Sequence, residues 1–237
     1  MLVQTVHSCI DNPKNFIFNY CKTVDAHDDA KSVIIKKFPV RQYIGDIIDI
    51  CENEYHSPNR CGLLVIPKSR QVMISWTIDA YLLWRSMFRF NQIMVIQSKT
   101  ENDSILQLDR VKNIYRNLPK EFQEYSGLVR HVDKQAQSHF KFSNGSTIYA
   151  VPEGGPVIRG RTPTVSFMDE VQTMTEAEDS YSNAYACCKL VIIVGTPGPG
   201  WFQKVVEDTG GDIEKELELN APVWAELTSK QNQIDWN

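Results

Sequence analysis

The sequence predicts an α/β fold, a mostly parallel central sheet with helices on both faces. Three observations carry that expectation. Short, mainly apolar stretches at 62–66, 93–96, 164–168 and 190–194 have the length and composition of strands buried on both faces. Between them lie segments whose apolar residues recur at helical spacing, the alternation that builds parallel sheets. Polar clusters stand directly after three of the runs, at 68–75, at Asp169-Glu170 and at Thr196. In such sheets ligands bind beyond the carboxyl ends of the strands, so this coincidence is the main functional signal in the chain.

The elements follow in order. Asp11 or Asn12 before Pro13 starts a helix, to which Phe16, Ile17, Tyr20 and Cys21 give an apolar stripe. Residues 25–31 are polar and read as a loop. Tyr43, Ile44, Ile47, Ile48 and Cys51 mark a second helix, broken by Pro58-Asn59. The strand at 62–66 leads through a polar loop to a very apolar helix over about 75–88. After the strand at 93–96 comes a long amphipathic helix carrying Ile105, Leu108, Val111, Tyr115 and Leu118. Asn144-Gly145, flanked by 140–142 and 147–151, is a hairpin signal. Residues 201–237 hold three basic and eight acidic residues, a local balance of −5, and no strong buried strand. The division expected is a core over 1–200 and a smaller lid, or the start of a linker, over 201–237.

Composition narrows the function. With 42% hydrophobic and 23% charged residues, the 237-residue chain has enough apolar content for a folded core, which excludes global disorder. A net charge of −4 argues against nucleic-acid binding through bulk positive charge, while leaving room for a local basic surface. The apolar runs are far too short to cross a bilayer, and the first ten residues lack the pattern of a signal peptide. Six cysteines without a CxxC pair suit free thiols in a reducing compartment. The five histidines have no spacing that suggests a metal site.

The polar clusters suggest phosphate chemistry. A nucleoside triphosphate site needs backbone N–H groups around the phosphates, a lysine to neutralise them and a hydroxyl on magnesium. The usual G-x4-GK[ST] spelling is absent, and Ile74 occupies the lysine position before Ser75. Lys68 instead opens the loop, seven positions ahead of Ser75, with Ser69, Arg70 and Gln71 following it. No glycine lies between Pro67 and Ser75. Taken alone, this segment also fits a strand-to-helix turn with solvated cations. The adjacent acids sharpen the reading: Asp169 would hold the magnesium hydration shell and Glu170 would polarise the attacking water. Arg159, with Arg161 in reserve, is the candidate guanidinium for the γ-phosphate, supplied in some enzymes by a neighbouring subunit.

In this order the motifs resemble those of phage terminase large subunits. The segment from Lys68 to Ser75 looks like that family's deviant Walker A, with the lysine at the front of the loop, although Met73 stands where a glycine is common. Arg159-Gly160, the 165–170 strand and Gly195-Thr196-Pro197 match its Arg-Gly segment, Walker B and coupling motif. The stretch from Phe38 to Tyr43 is similar to the upstream adenine motif, with Gln42 as the base-reading side chain and Arg41 beside it. The resemblance covers roughly 38–205 and lies in the ordered set of motifs.

It implies a P-loop NTPase of the additional-strand, catalytic-glutamate type that hydrolyses ATP with Mg2+ to drive double-stranded viral DNA into a procapsid. Lys68, Ser75 and Arg70 would contact phosphate or magnesium, Asp169 and Glu170 would form the Walker B pair, and Thr196 would couple hydrolysis to movement. Arg159 would act across a ring of subunits, a pentamer on the procapsid and a monomer in solution. The implied partners are DNA, a portal protein and a small terminase subunit, with no membrane, in the host cytoplasm during virion assembly. No nuclease activity is expected of these residues. Two other readings remain: a degenerate, non-hydrolysing P-loop module for assembly or DNA docking, and a helicase-like ATPase. Lys99, Arg110, Lys112, Arg116 and Lys120 could face DNA, but the 99–141 stretch is only +2 (eight basic, six acidic), so a solvated face is expected. Trp76, Trp84 and Phe88 are expected in the core.

Overall fold

Local chemistry starts the first helices where the sequence places them. Asn12 caps α2 (Pro13–Tyr20), its side chain accepting the Asn15 N–H at 2.9 Å, with Pro13 in the first turn. An unforeseen helix, α1 (Leu2–Ile10), precedes it. The structure is a computed structural model and describes residues 2–25, 34–58, 61–68, 73–124 and 132–208. Strands β1 (Lys22–Asp25) and β2 (Ile34–Lys37) form a small antiparallel pair that the sequence reading missed. Asp25 therefore ends a strand, and the rest of the expected loop falls outside the described residues. Helix α3 (Gln42–Tyr55) follows.

The remaining elements build the main sheet and its covering. In order they are β3 (Gly62–Pro67), α4 (Ile74–Phe88), β4 (Ile93–Ser98), α5 (Glu101–Arg116), α6 (Lys120–Glu124), β5 (Val132–Gln135), β6 (His139–Phe142) and β7 (Thr147–Pro152). Then come α7 (Gly155–Arg159), β8 (Val165–Asp169), a 3-10 turn (Val171–Thr173), α8 (Ala177–Cys187), β9 (Leu190–Gly195) and α9 (Trp201–Asp208). Seven strands pair in the order β3-β9-β8-β4-β7-β6-β5. The first five are parallel, and the β6–β7 hairpin and β5 extend the sheet antiparallel. The hairpin turns at Asn144-Gly145, where Gly145 has φ +88°, a conformation that glycine adopts without steric cost.

Strand alternation splits the core in two. On β8 and β9, Val165, Phe167, Leu190, Ile192 and Val194 face one cluster, shared with α1 to α5. Met168, Val191 and Ile193 face the other, with Ile158, Ala184 and the α9 residues Phe202, Val205 and Val206. Helices thus cover both faces, as the sequence predicts. β3 is the exception to the expected burial. Among the described residues it lies at the sheet edge, with one neighbouring strand, and residues 63–66 are half-buried. Helix α9, at the start of the proposed lid, packs into the second cluster, while residues 209–237 lie outside the described residues.

The topology positions the site. β9 returns to lie between β3 and β8, with Pro67 opposite Gly195 and Asp169 opposite Val194. Residues just past three strand ends, separated by up to 128 positions, therefore meet at one edge of the sheet.

Candidate nucleotide site at the strand ends

Lys68 leaves β3 with its backbone N–H still donating to the Gly195 carbonyl at 2.9 Å. Its Nζ donates to Glu170 Oε1 at 2.7 Å and stands 4.0 Å from Asp169 Oδ1. Ser75, in the first turn of α4, stands beside the Asp169 carboxylate and favours its charged form. Lys68, Ser75 and Asp169 are 7%, 8% and 5% exposed, so a lysine, a hydroxyl and a carboxylate share one largely dry corner. Burial raises the Asp169 carboxyl above its ordinary value, and Lys68, Arg110 and Ser75 pull it back down.

Two residues here adopt left-handed backbone. Met73, just before α4, has φ +58°, and Glu170, just after β8, has φ +55°. Such conformations cost a non-glycine residue free energy and cluster where function fixes the chain. Glu170 is held from several sides. Its own N–H donates to Asp169 Oδ1 at 3.1 Å, and its backbone oxygen accepts from Thr173 N and Oγ1. Its second carboxylate oxygen accepts from Gln172 Nε2. The Gln172 Oε1 in turn accepts the Thr196 N–H at 2.9 Å, so one amide links the acid after β8 to the residue after β9. A cavity of about 540 Å³ opens beside the two acids, lined also by Ser98, Lys99, Gln107 and Arg110.

The other expected residues are more dispersed. Ser69, Arg70 and Gln71 lie outside the described residues. Gln42 opens α3 on the surface, donating to Asp46 Oδ1 at 2.8 Å, and Arg41 precedes it without a side-chain cap contact. Neither reaches the Lys68–Glu170 cluster through a hydrogen bond among the described residues. Arg159 ends α7 exposed, with no hydrogen bond or ion pair among the described residues. Arg161 is tied down, its Nη1 donating to the Val157 carbonyl at 2.9 Å and its guanidinium over the Tyr149 ring.

Sequence reasoning missed three residues. Arg110, assigned with Lys112 to a solvated helix face, turns inward: its Nε is 3.0 Å from Asp79 Oδ2 and its Nη2 is 3.6 Å from Asp169 Oδ2. Lys112 is buried too, donating to the Ala136 and Gln137 carbonyls. Asp79 is fully buried, and that burial pushes its carboxyl up to about 7 against the pull of Arg110. A carboxylate four residues after Ser75 in an otherwise apolar helix was the signal available for Asp79. Gln172 offered none. Trp84 and Phe88 are in the core as expected, whereas Trp76 is half-buried beside Arg110.

The donor set suits a hard cation. Among the described residues no group of three or more His, Cys, Asp or Glu could hold a metal ion. Magnesium needs none, since it binds through one or two protein oxygens plus substrate phosphates, and the Ser75 hydroxyl and Asp169 carboxylate supply those oxygens side by side.

The parallel run β3-β9-β8-β4-β7, with helices on both faces, is a fold that recurs among solved structures. The chain shares it with the HK97 bacteriophage large terminase, at a TM-score of 0.57 and 13% identity over 78% of this chain. The large terminase of a thermophilic bacteriophage superposes at 0.49, with 19% identity over 76% of this chain and 43% of that one. A Thermus phage P74-26 large terminase ATPase domain mutant superposes at 0.48, with 15% identity over 70% and 69%. The match spans 37% of the HK97 protein's length. No model of a known protein family matches the sequence, and no curated protein does.

Proposed function

We propose that the chain is the ATPase part of a viral DNA-packaging motor, hydrolysing ATP with magnesium to move double-stranded DNA into a procapsid. One observation carries the reading: Lys68, Ser75, Asp169 and Glu170, from three separate segments, converge on a single corner at the carboxyl edge of a terminase-like sheet. Lys68 would hold the β- and γ-phosphates, with Ser69, Arg70 and Gln71 as further contacts. Ser75 and Asp169 would hold magnesium, in part through water, and when bound it neutralises charge on the phosphoryl oxygens. Glu170 would polarise the attacking water.

The Lys68–Glu170 ion pair gives this scheme its logic. Phosphate oxygens compete with Glu170 for the ammonium group, and a carboxylate released from Lys68 is a better base toward water. Thr196 would sense the event through Gln172, which bridges it to Glu170. The finger role falls to Arg159, because Arg161 is held by its own chain while Arg159 faces outward. Gln42, with Arg41, would read the adenine. DNA, a portal protein, a small subunit and a ring of copies are the partners this reading implies, acting in the host cytoplasm.

The test is steady-state ATP hydrolysis with Mg2+ across a range of protein concentrations. Turnover per subunit should rise with concentration and be abolished by Glu170→Ala and by Lys68→Ala. Arg159→Ala should remove the concentration dependence, while Arg161→Ala should keep it. Turnover that survives Lys68→Ala would overturn the placement of the phosphate loop. Nucleotide binding without turnover at any concentration would favour the non-hydrolysing module.

A further inference from the structure

The geometry points to Arg110 as a positioning residue that holds the Asp169 carboxylate for its metal, with Asp79 as the anchor that holds Arg110. This rests on the reading of Asp169 as the magnesium-side acid. Three elements meet here. Asp79 lies one helical turn beyond Ser75 on α4, so both point from the same face. Its Oδ1 accepts from Gln107 Nε2 of α5 at 3.2 Å, and its Oδ2 faces Arg110 Nε at 3.0 Å. Gln107 is itself in hydrogen-bond contact with Ser98, at the end of β4. The guanidinium also stands near the Trp76 ring, which limits its swing.

With its Nε 3.0 Å from Asp79 Oδ2, an ion pair whose atoms are not aligned as a hydrogen bond, the guanidinium turns Nη2 toward Asp169 Oδ2 at 3.6 Å. The other oxygen, Oδ1, accepts the Glu170 N–H. Asp169 is thus oriented from both sides while its remaining lone pairs stay available on the cavity side. A buried acid–arginine pair adds little net stability compared with apolar residues of the same volume. What it supplies here is a fixed charge beside a second buried acid. Lys68 is the other described cation near Asp169, and in the proposed scheme ATP phosphates draw it away. Arg110, with no phosphate-loop position to leave, keeps Asp169 aligned throughout.

The experiment measures Mn2+ binding by electron paramagnetic resonance in the presence of ADP, and ADP binding in EDTA. For Arg110→Gln, Mn2+ affinity should fall about tenfold, the usual scale for losing a group that orients a metal ligand. ADP affinity in EDTA should stay unchanged. Arg110→Lys should recover part of the loss, since an ammonium cannot span both carboxylates. Asp79→Asn should weaken Mn2+ less than Arg110→Gln, and the double variant should be no worse than Arg110→Gln alone. Unchanged or tighter Mn2+ binding in a folded Arg110→Gln protein would overturn the proposal. So would a loss of ADP affinity in EDTA, which would put Arg110 on the nucleotide itself. A wild-type chain without Mn2+-dependent ADP binding would instead overturn the site reading on which the proposal rests.

Discussion

Met73 offers a test in which the sign of the effect matters more than its size. Its φ of +58° and ψ of 7° put it in the left-handed region, immediately ahead of α4 and two residues before Ser75. That conformation costs an L-residue about 1–2 kcal/mol relative to glycine. Glycine carries its own penalty of about 0.5–1 kcal/mol from the greater freedom of its unfolded chain. Alanine suffers the strain without that penalty. The difference leaves Met73→Gly more stable than Met73→Ala by roughly 0.5–1 kcal/mol, the reverse of the order at an ordinary helical position. The Met73 side chain is half-buried against the larger core cluster, so both variants lose packing, and comparing them with each other cancels that loss.

Urea denaturation reads the difference directly, as a shift in midpoint at constant slope. For a domain of this size the same difference is about 1–4 °C in Tm. If Met73→Ala proves the more stable by about 0.5 kcal/mol or more, the left-handed conformation before α4 is refuted. So is the explanation of how a glycine-free loop makes the turn that glycine usually makes.

Two further outcomes are expected. Asp79 has its folded-state carboxyl raised from 3.8 to about 7, so the wild type should lose stability as pH rises from about 4 to about 7, where the unfolded chain has already released the proton. Thermal melts should therefore show Asp79→Asn gaining on the wild type between about pH 4 and pH 7; a constant gap across that range would refute the shift. Gln172→Ala removes the amide between Glu170 and Thr196. It should lower kcat by about tenfold with KM little changed, because the lost contacts orient a reacting group without touching the bound nucleotide. A change confined to KM would remove Gln172 from the scheme.

Much of the fold is legible because burial leaves a plain signature. The runs that become β4, β8 and β9 are mainly apolar, since both faces are covered. β3 carries the same composition yet is half-exposed, because position in the sheet depends on which strands return to it and not on its own residues. β5 was illegible for a related reason: a four-residue strand of Val132, Asp133, Lys134 and Gln135 at the far edge has no apolar run to find. Within the site, Lys68, Ser75, Asp169 and Glu170 could be named because each ends or directly follows a strand, or opens a helix. Arg110 could not, because on α5 it is one cation among several, and its inward turn is decided by Asp79 on another helix.

The same geometry explains why these charges belong together. Lys68 and Glu170 are 102 positions apart, and Asp79 belongs to neither motif, yet none could sit in its place alone. Burying a carboxylate as deeply as Asp169 is costly unless cations offset the loss of water, and two stand near it from opposite elements, Lys68 after β3 and Arg110 on α5. Arg110 in turn meets the bulk of its own desolvation through Asp79, which has no other cation within salt-bridge distance among the described residues. The two cations are not redundant. One lies at the head of the loop that would grip phosphate and has another partner to move to, while the other is bracketed between two acids and has none. On the proposed reading, a site that gives up a lysine to phosphate while holding an acid in place for a metal needs one cation of each kind.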